Sequence, residues 1–298
     1  MTVPAIHSAV QHVGFIGLGD QGGPMAIAIA EAGFTLHVWA RRPSSLEILA
    51  GIPHLAHANP AELVGASDIL CLCLNDDQDV WEVLNHPGMI EALEADSIVV
   101  NHGTGDPDEN RRIASTLGEV GIAYLDAPVS GGRPAAMART LTTIVGGDEQ
   151  SFRRCEPVFA AFSGKCAFMG RSGNGQMTKL LNNALTMTNL KNVVDVFTLA
   201  HRLDIDLTVF YDVIRASSGS SRILEALPQI TESLAFHLHG LMKKDIEHFA
   251  DGVRSNGQDP TGLRDRGLAG AMGLSDVVGL LSRARDASSK SRAGAAHG

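Results

Sequence analysis

The stretch VGFIGLGDQGGPMAIAIAEAG, residues 13–33, decides the fold. A short apolar run leads straight into Gly17-x-Gly19-x-x-Gly22, and residues 22–32 then show helical spacing. Strand, glycine turn and helix in this order form the dinucleotide-binding fingerprint. The glycines permit the tight turn and let backbone approach a pyrophosphate. The first helical turn offers N–H groups that have no partner within the helix. The loop Gly17, Leu18, Gly19, Asp20, Gln21 and Gly22 is therefore a candidate cofactor site. Asp20 is unusual there, because a carboxylate repels phosphate, and it is expected to point to solvent.

Outward from this stretch, apolar runs alternate with helical patterns. Residues 13–17, 35–40, 68–74, 97–103, 123–128, 142–147 and 166–170 read as strands. Several of these are apolar throughout, as strands covered on both faces are. The fold class that follows is α/β, with an N-terminal Rossmann-type, doubly wound, mostly parallel sheet. After the glycine-rich GRSGNG at 170–175 no convincing strand recurs. Helices are predicted at 177–201, 207–217, 221–230, 240–253 and 270–287. The expected domains are 11–171 for the nucleotide, an all-α domain at 172–287, and a small, polar, disordered tail at 288–298.

Composition narrows the function. The 298 residues carry a formal net charge of −9 without a basic stripe, which argues against nucleic acid or an anionic membrane as partner. No apolar run approaches the ~20 residues of a membrane helix, and the N-terminus lacks the pattern of a signal peptide. Cys71, Cys73, Cys155 and Cys166 form no metal-ligand pattern and read as reduced thiols of a cytoplasmic protein. The twelve histidines include no His-Glu-x-x-His, and Asp76, Asp77 and Asp79 suit the start of a helix. No metal is expected.

The end of the second strand sorts the cofactor. An acidic residue there accepts hydrogen bonds from the ribose diol in NAD-binding proteins. Here Ala40 occupies that position, with Arg41 and Arg42 after it. Guanidinium forks suit a 2′-phosphate, so NADP is favoured, with NAD possible. Elsewhere, Ser130-Gly131-Gly132 offers a hydroxyl and inward-turning amides for an anion. Lys179 and Asn183, in GQMTKLLNN, stand one above the other on a helical face.

Together the motifs GFIGLGDQGGPMA, DAPVSGGRPAAMARTLTTIVGG, GNGQMTKLLNN and KKDI resemble the β-hydroxyacid dehydrogenase family, over residues 13–287. That family includes 3-hydroxyisobutyrate dehydrogenase and tartronate semialdehyde reductase, whose C-terminal domain is similar to that of 6-phosphogluconate dehydrogenase. The resemblance implies that Lys179 is the catalytic lysine and Asn183 its substrate-binding partner. It implies that Ser130, Gly131 and Gly132 cradle the substrate carboxylate. It puts Leu74 and Asn75 beside the cofactor, and Thr104 and Lys244 near its nicotinamide half. The implied activity is NADP-dependent interconversion of a small β-hydroxy acid and its semialdehyde. Lys179 would be the general acid–base, a role open to it in the absence of zinc or a well-placed histidine. An imine reductase and a non-catalytic nucleotide-binding or assembly protein are the alternatives on this fold. A homodimer or homotetramer is expected, since the helical domain is small for its apolar content. The chain departs from the family at Gln21, commonly Met, at Asn75, commonly Pro, at Gly103, commonly Ser, and at Arg139, commonly Gly.

Overall fold

The computed structural model describes the backbone of residues 10–295 and side chains through residue 287. The chain divides after Lys179 into two compact units. In the first, the elements run β1 (His12–Ile16), α1 (Gly22–Glu31), β2 (Thr35–Trp39), β3 (Leu55–Ala56), α2 (Pro60–Val64), β4 (Ile69–Leu72), α3 (Asp77–Leu84), β5 (Ile98–Asn101), α4 (Pro107–Glu119), β6 (Ala123–Asp126), β7 (Val129–Ser130), α5 (Gly132–Met137), β8 (Leu141–Val145), α6 (Glu149–Ala160) and β9 (Ser163–Phe168). Then α7 (Asn174–Arg202) carries the chain on to α8 (Leu207–Arg215), α9 (Arg222–Ala226), α10 (Glu232–Ser255) and α11 (Thr261–Ala295).

Six strands, β1 to β6, pair in parallel in the order β3-β2-β1-β4-β5-β6. The order reverses between β1 and β4, and such a switch point opens a crevice at the carboxyl ends of the strands. The central strands are buried on both faces, and their side chains still alternate. Phe15, Cys71 and Val100 face α1 and α6, packing with Met25, Ile29 and Phe159. Ile16, Leu72 and Val99 face the other way, onto Val80, Leu84, Ile113 and Leu117. The period of two thus survives inside runs that are apolar throughout.

Two of the seven expected strands belong elsewhere. β8 and β9 form a second, three-stranded sheet with β7, antiparallel at β7–β8 and parallel at β8–β9. It meets the main sheet through an antiparallel bridge between Asp126 and Gly146. The two-residue strands β3 and β7 are too short to show any periodicity, which is why the sequence does not announce them.

The described residues of the second unit form helices joined by turns, with no strand among them. Leu190, Phe197, Leu224, Leu274 and Val277 centre one core, and Leu180, Met187, Ile246 and Phe249 another. α10 and α11 both start earlier than expected, at Glu232 and Thr261. The tail also differs from expectation: α11 continues to Ala295, so the backbone of 288–295 is helical rather than disordered. Its Lys, Arg and Ala residues favour a helix, and extending a formed helix avoids the cost of nucleation. Residues 296–298 lie outside the described residues.

Candidate active site

The glycine turn follows directly from β1. Gly17 has φ of +102°, and a Cβ there would lie 2.2 Å from the Cys73 carbonyl oxygen. A Cβ on Gly22 would lie 1.8 Å from the Gly17 oxygen, so both glycines are required by the turn itself. Gly19 differs: a Cβ there meets nothing within 4 Å. Its freedom is not needed for packing, and it leaves the backbone bare toward open space where a pyrophosphate would approach. The turn therefore fits a dinucleotide.

A cavity of about 370 Å³ adjoins it, wholly within the first unit. Gly17, Leu18, Gly19, Leu74 and Asn75 line one part of it, and Trp39, Ala40, Arg41, Arg42 and Ser45 another. The structure thus brings together seven of the residues expected at the cofactor. Gln21 lies just before α1, in its N-cap position. Asp20 is exposed, as expected, and its carboxylate also accepts from Arg133 Nη1 at 3.3 Å. That arginine follows the Ser130-Gly131-Gly132 turn, so this turn and the glycine loop are linked by charge.

Beneath the loop that carries Thr104 lies a polar network the sequence reading did not find. Asn101 Oδ1 accepts from the Gly103 N–H at 2.9 Å, and Asp77 Oδ2 accepts from the Asp106 N–H at 2.7 Å. Asn110 donates to Asp77 Oδ1, and its own oxygen accepts from Asn101 and from the Tyr124 hydroxyl at 2.6 Å. Gln176, fully buried in the first turn of α7, accepts from the Gly105 N–H at 3.0 Å and donates to the Gly103 carbonyl at 2.8 Å. Buried polar groups satisfied in this way fix a loop strongly. The available signal was Asn101, a polar residue closing an apolar strand. Gly103 is explained as well: a Cβ would lie 2.7 Å from the Leu74 oxygen, so the family's serine would force a shift here.

The start of α7 is held by Asp126. Its carboxylate accepts from the Gly173 and Gln176 N–H groups at 2.8 and 2.9 Å. Burial pushes this carboxyl up to about 6, against the pull of those donors at a helix N-terminus. Three residues beyond Gln176 comes Lys179, only 8% exposed, and one turn further Asn183, half-buried. Asn183 Nδ2 donates to Asp245 Oδ2 at 2.7 Å, which fixes the orientation of the amide. Asp245 sits in the KKDI motif of α10 beside Lys244, and the sequence reading passed over it. Lys244 is half-buried in the second unit and is not part of the cavity lining.

Ser130 ends β7, paired with Thr142 of β8. Gly131 and Gly132 follow with φ of +132° and +65°, backbone that only glycine adopts readily. Among the described residues, no group of three or more His, Cys, Asp or Glu side chains is arranged to hold a metal ion.

Comparison with known proteins gives the family. Residues 12–170 match the family model for the NAD-binding domain of 6-phosphogluconate dehydrogenase. Residues 173–261 match the model described as NAD-binding of NADP-dependent 3-hydroxyisobutyrate dehydrogenase. The chain is 35% identical to 2-hydroxy-3-oxopropionate reductase of Escherichia coli, over 72% of this chain and 73% of that one. It is 32% identical to 2-(hydroxymethyl)glutarate dehydrogenase of Eubacterium barkeri, over 72% and 71%. The fold is shared with the 3-hydroxyisobutyrate dehydrogenase of Mycobacterium tuberculosis, with a TM-score of 0.76 at 24% identity, covering 92% of this chain and 94% of that one. On these matches the chain belongs to the β-hydroxyacid dehydrogenase family of NAD(P)-dependent oxidoreductases.

Proposed function

We propose that the protein interconverts a small β-hydroxy acid and its semialdehyde, with Lys179 as general acid–base and NADP as the preferred cofactor. The observation that carries this reading is Lys179 itself. An ammonium group is seldom buried without a task, and this one stands one helical turn from an amide anchored by Asp245. The bound nicotinamide supplies the hydride, or accepts it in the oxidative direction. Ser130 and the amides of Gly131 and Gly132 hold the substrate carboxylate in both directions. Lys179 Nζ gives a proton to the substrate oxygen as the aldehyde is reduced and takes it back during oxidation. Asn183 orients the substrate. Thr104, on its braced loop, and Lys244 serve the nicotinamide half, while Gly17 to Gly22, Leu74 and Asn75 hold the rest of the dinucleotide. Ala40, Arg41 and Arg42 in the cavity wall support NADP over NAD.

In this reading residues 11–171 are the cofactor domain and 172–287 the substrate and oligomerisation domain of a homodimer or homotetramer. The cytoplasm suits its four free cysteines. The test is single-turnover reduction of three- and four-carbon semialdehyde acids by wild type and Lys179→Ala, each saturated with NADPH. Loss of the lysine should slow the step by the ~10²–10⁴-fold typical of a general acid, with NADPH affinity little changed. Lys179→Arg should not restore the rate, because a guanidinium cannot cycle as a base. Equal rates in wild type and Lys179→Ala would refute the assignment.

A further inference from the structure

The preference for NADP rests on Arg41, yet the guanidinium of Arg41 is already engaged. Nη2 donates to Asp79 Oδ1 at 2.9 Å, and Nη1 donates to Glu82 Oε2 at 3.2 Å. Both acids stand in α3, three residues apart, and both line the same cavity as Gly19, Arg42 and Ser45. They are not equivalent. The Asp79 side chain is 17% exposed, against 53% for Glu82 and 66% for Arg41. Asp79 also accepts from Asn75 Nδ2 at 3.4 Å, and its own N–H is capped by Asp76 Oδ1 at 2.9 Å. Asp79 is thus a fixed carboxylate in the cavity wall, and Arg41 is the movable arm that reaches it.

The two cofactors make opposite demands on such a wall. A 2′-phosphate brings negative charge and needs the guanidinium fork, whose outer nitrogens are here both taken. A ribose diol brings hydroxyl donors, which a carboxylate accepts. We propose that Asp79 sets the cofactor selectivity of this enzyme. Its carboxylate competes with the 2′-phosphate for Arg41, holding down a preference for NADP that Arg41 and Arg42 would otherwise make strong. The proposal rests on the reading of Arg41 as a ligand of the 2′-phosphate. Exposed ion pairs are weak, so releasing Arg41 should be worth about three- to tenfold in Kd rather than orders of magnitude.

The experiment is a fluorescence titration of NADPH and NADH on the full chain, comparing wild type, Asp79→Asn, Arg41→Ala and the double variant. Circular dichroism checks that each is folded. Asp79→Asn should tighten NADPH about three- to tenfold while NADH changes by less than about twofold. With Arg41 removed, the same substitution should shift the ratio of the two constants by less than about twofold, the mark of two residues acting through each other. Glu82→Gln, farther out and more solvated, should move the ratio in the same direction by less. If neither acid variant moves it while Arg41→Ala still erodes NADPH binding, Asp79 has no such role and the NADP reading stands. If Arg41→Ala leaves the ratio unchanged, the 2′-phosphate assignment fails and takes this inference with it.

Discussion

His102 shows what one buried side chain does to the behaviour of the fold. Its Nδ1 lies 2.9 Å from the Ala127 oxygen, while Nε2 is buried without a hydrogen-bond partner, and the ring stands perpendicular to those of Phe159 and Phe162. Burial lowers its pKa to about 4 from an ordinary 6.5. The unfolded chain therefore takes up this proton first as pH falls, and stability is lost progressively from pH 6.5 down to about 4. Asp126 has the opposite sign: raised to about 6, it contributes stability at low pH that is lost as pH rises through 6. His102→Phe removes only the first effect. Measured by denaturant titration, it should gain about 2–3 kcal/mol on wild type between pH 7.5 and 4.5, beyond any constant offset from the lost Ala127 bond. A difference that stays flat with pH would mean that His102 titrates normally. Nothing in NHGTGDP announces this, because the burial comes from Phe159 and Phe162, distant in the chain. Arg139 was half legible by contrast. The sequence marks it as a departure from glycine, and the structure gives the reason: its φ is +56°, a conformation that costs a side chain and is held here with an ion pair to Glu31.

Elements were legible where their pattern was long, and obscure where a partner defines them. The β1–turn–α1 unit, the central strands and α7 follow from periodicity and glycine placement. The second sheet does not, because β7 has two residues and β8 reads like any other apolar run. The network under the Thr104 loop was hidden for a similar reason: Asp77, Asn101, Asn110, Tyr124 and Gln176 come from five separate segments. Close approach between helices was hidden too, and Gly270 tests it. Mid-helix in α11, it looks like a site where alanine would help by about 1 kcal/mol. Yet a Cβ there would lie 2.1 Å from the Met187 oxygen and 3.0 Å from the Lys191 nitrogen, both backbone atoms of α7. Gly270→Ala should thus destabilise the protein, by about 1–3 kcal/mol as overpacking does, with a lower denaturation midpoint. A raised midpoint would mean that the two helices part without cost.

At the scale of the whole molecule, the fold class and the change from α/β to helix were readable from the sequence, whereas the outer surface of the helical unit was not. Along α7, Leu181, Leu185, Val196 and Leu199 are all exposed, and Leu203 is exposed just past its end. At 100° per residue the four on the helix fall within about 60° of one another, so they form a single stripe. Lys179 and Asn183 lie on the other side of the same helix by the same count, which leaves the stripe free for a different use. Leu185 is 61% exposed and Leu203 62%, and Phe236 on α10 is 81% exposed. Apolar surface gathered in this way marks an interaction site. For a chain expected to form homo-oligomers, the simplest occupant is a second copy related by a two-fold axis. Sedimentation equilibrium at micromolar concentration should then return a dimer or a higher even species. Leu185→Glu with Leu199→Glu should reduce that mass, because charges buried at an interface core without partners are costly. Circular dichroism should stay unchanged, since both side chains project outward and glutamate is a good helix former. A monomeric wild type, or a double variant that associates as strongly as wild type, would remove this stripe from the interface.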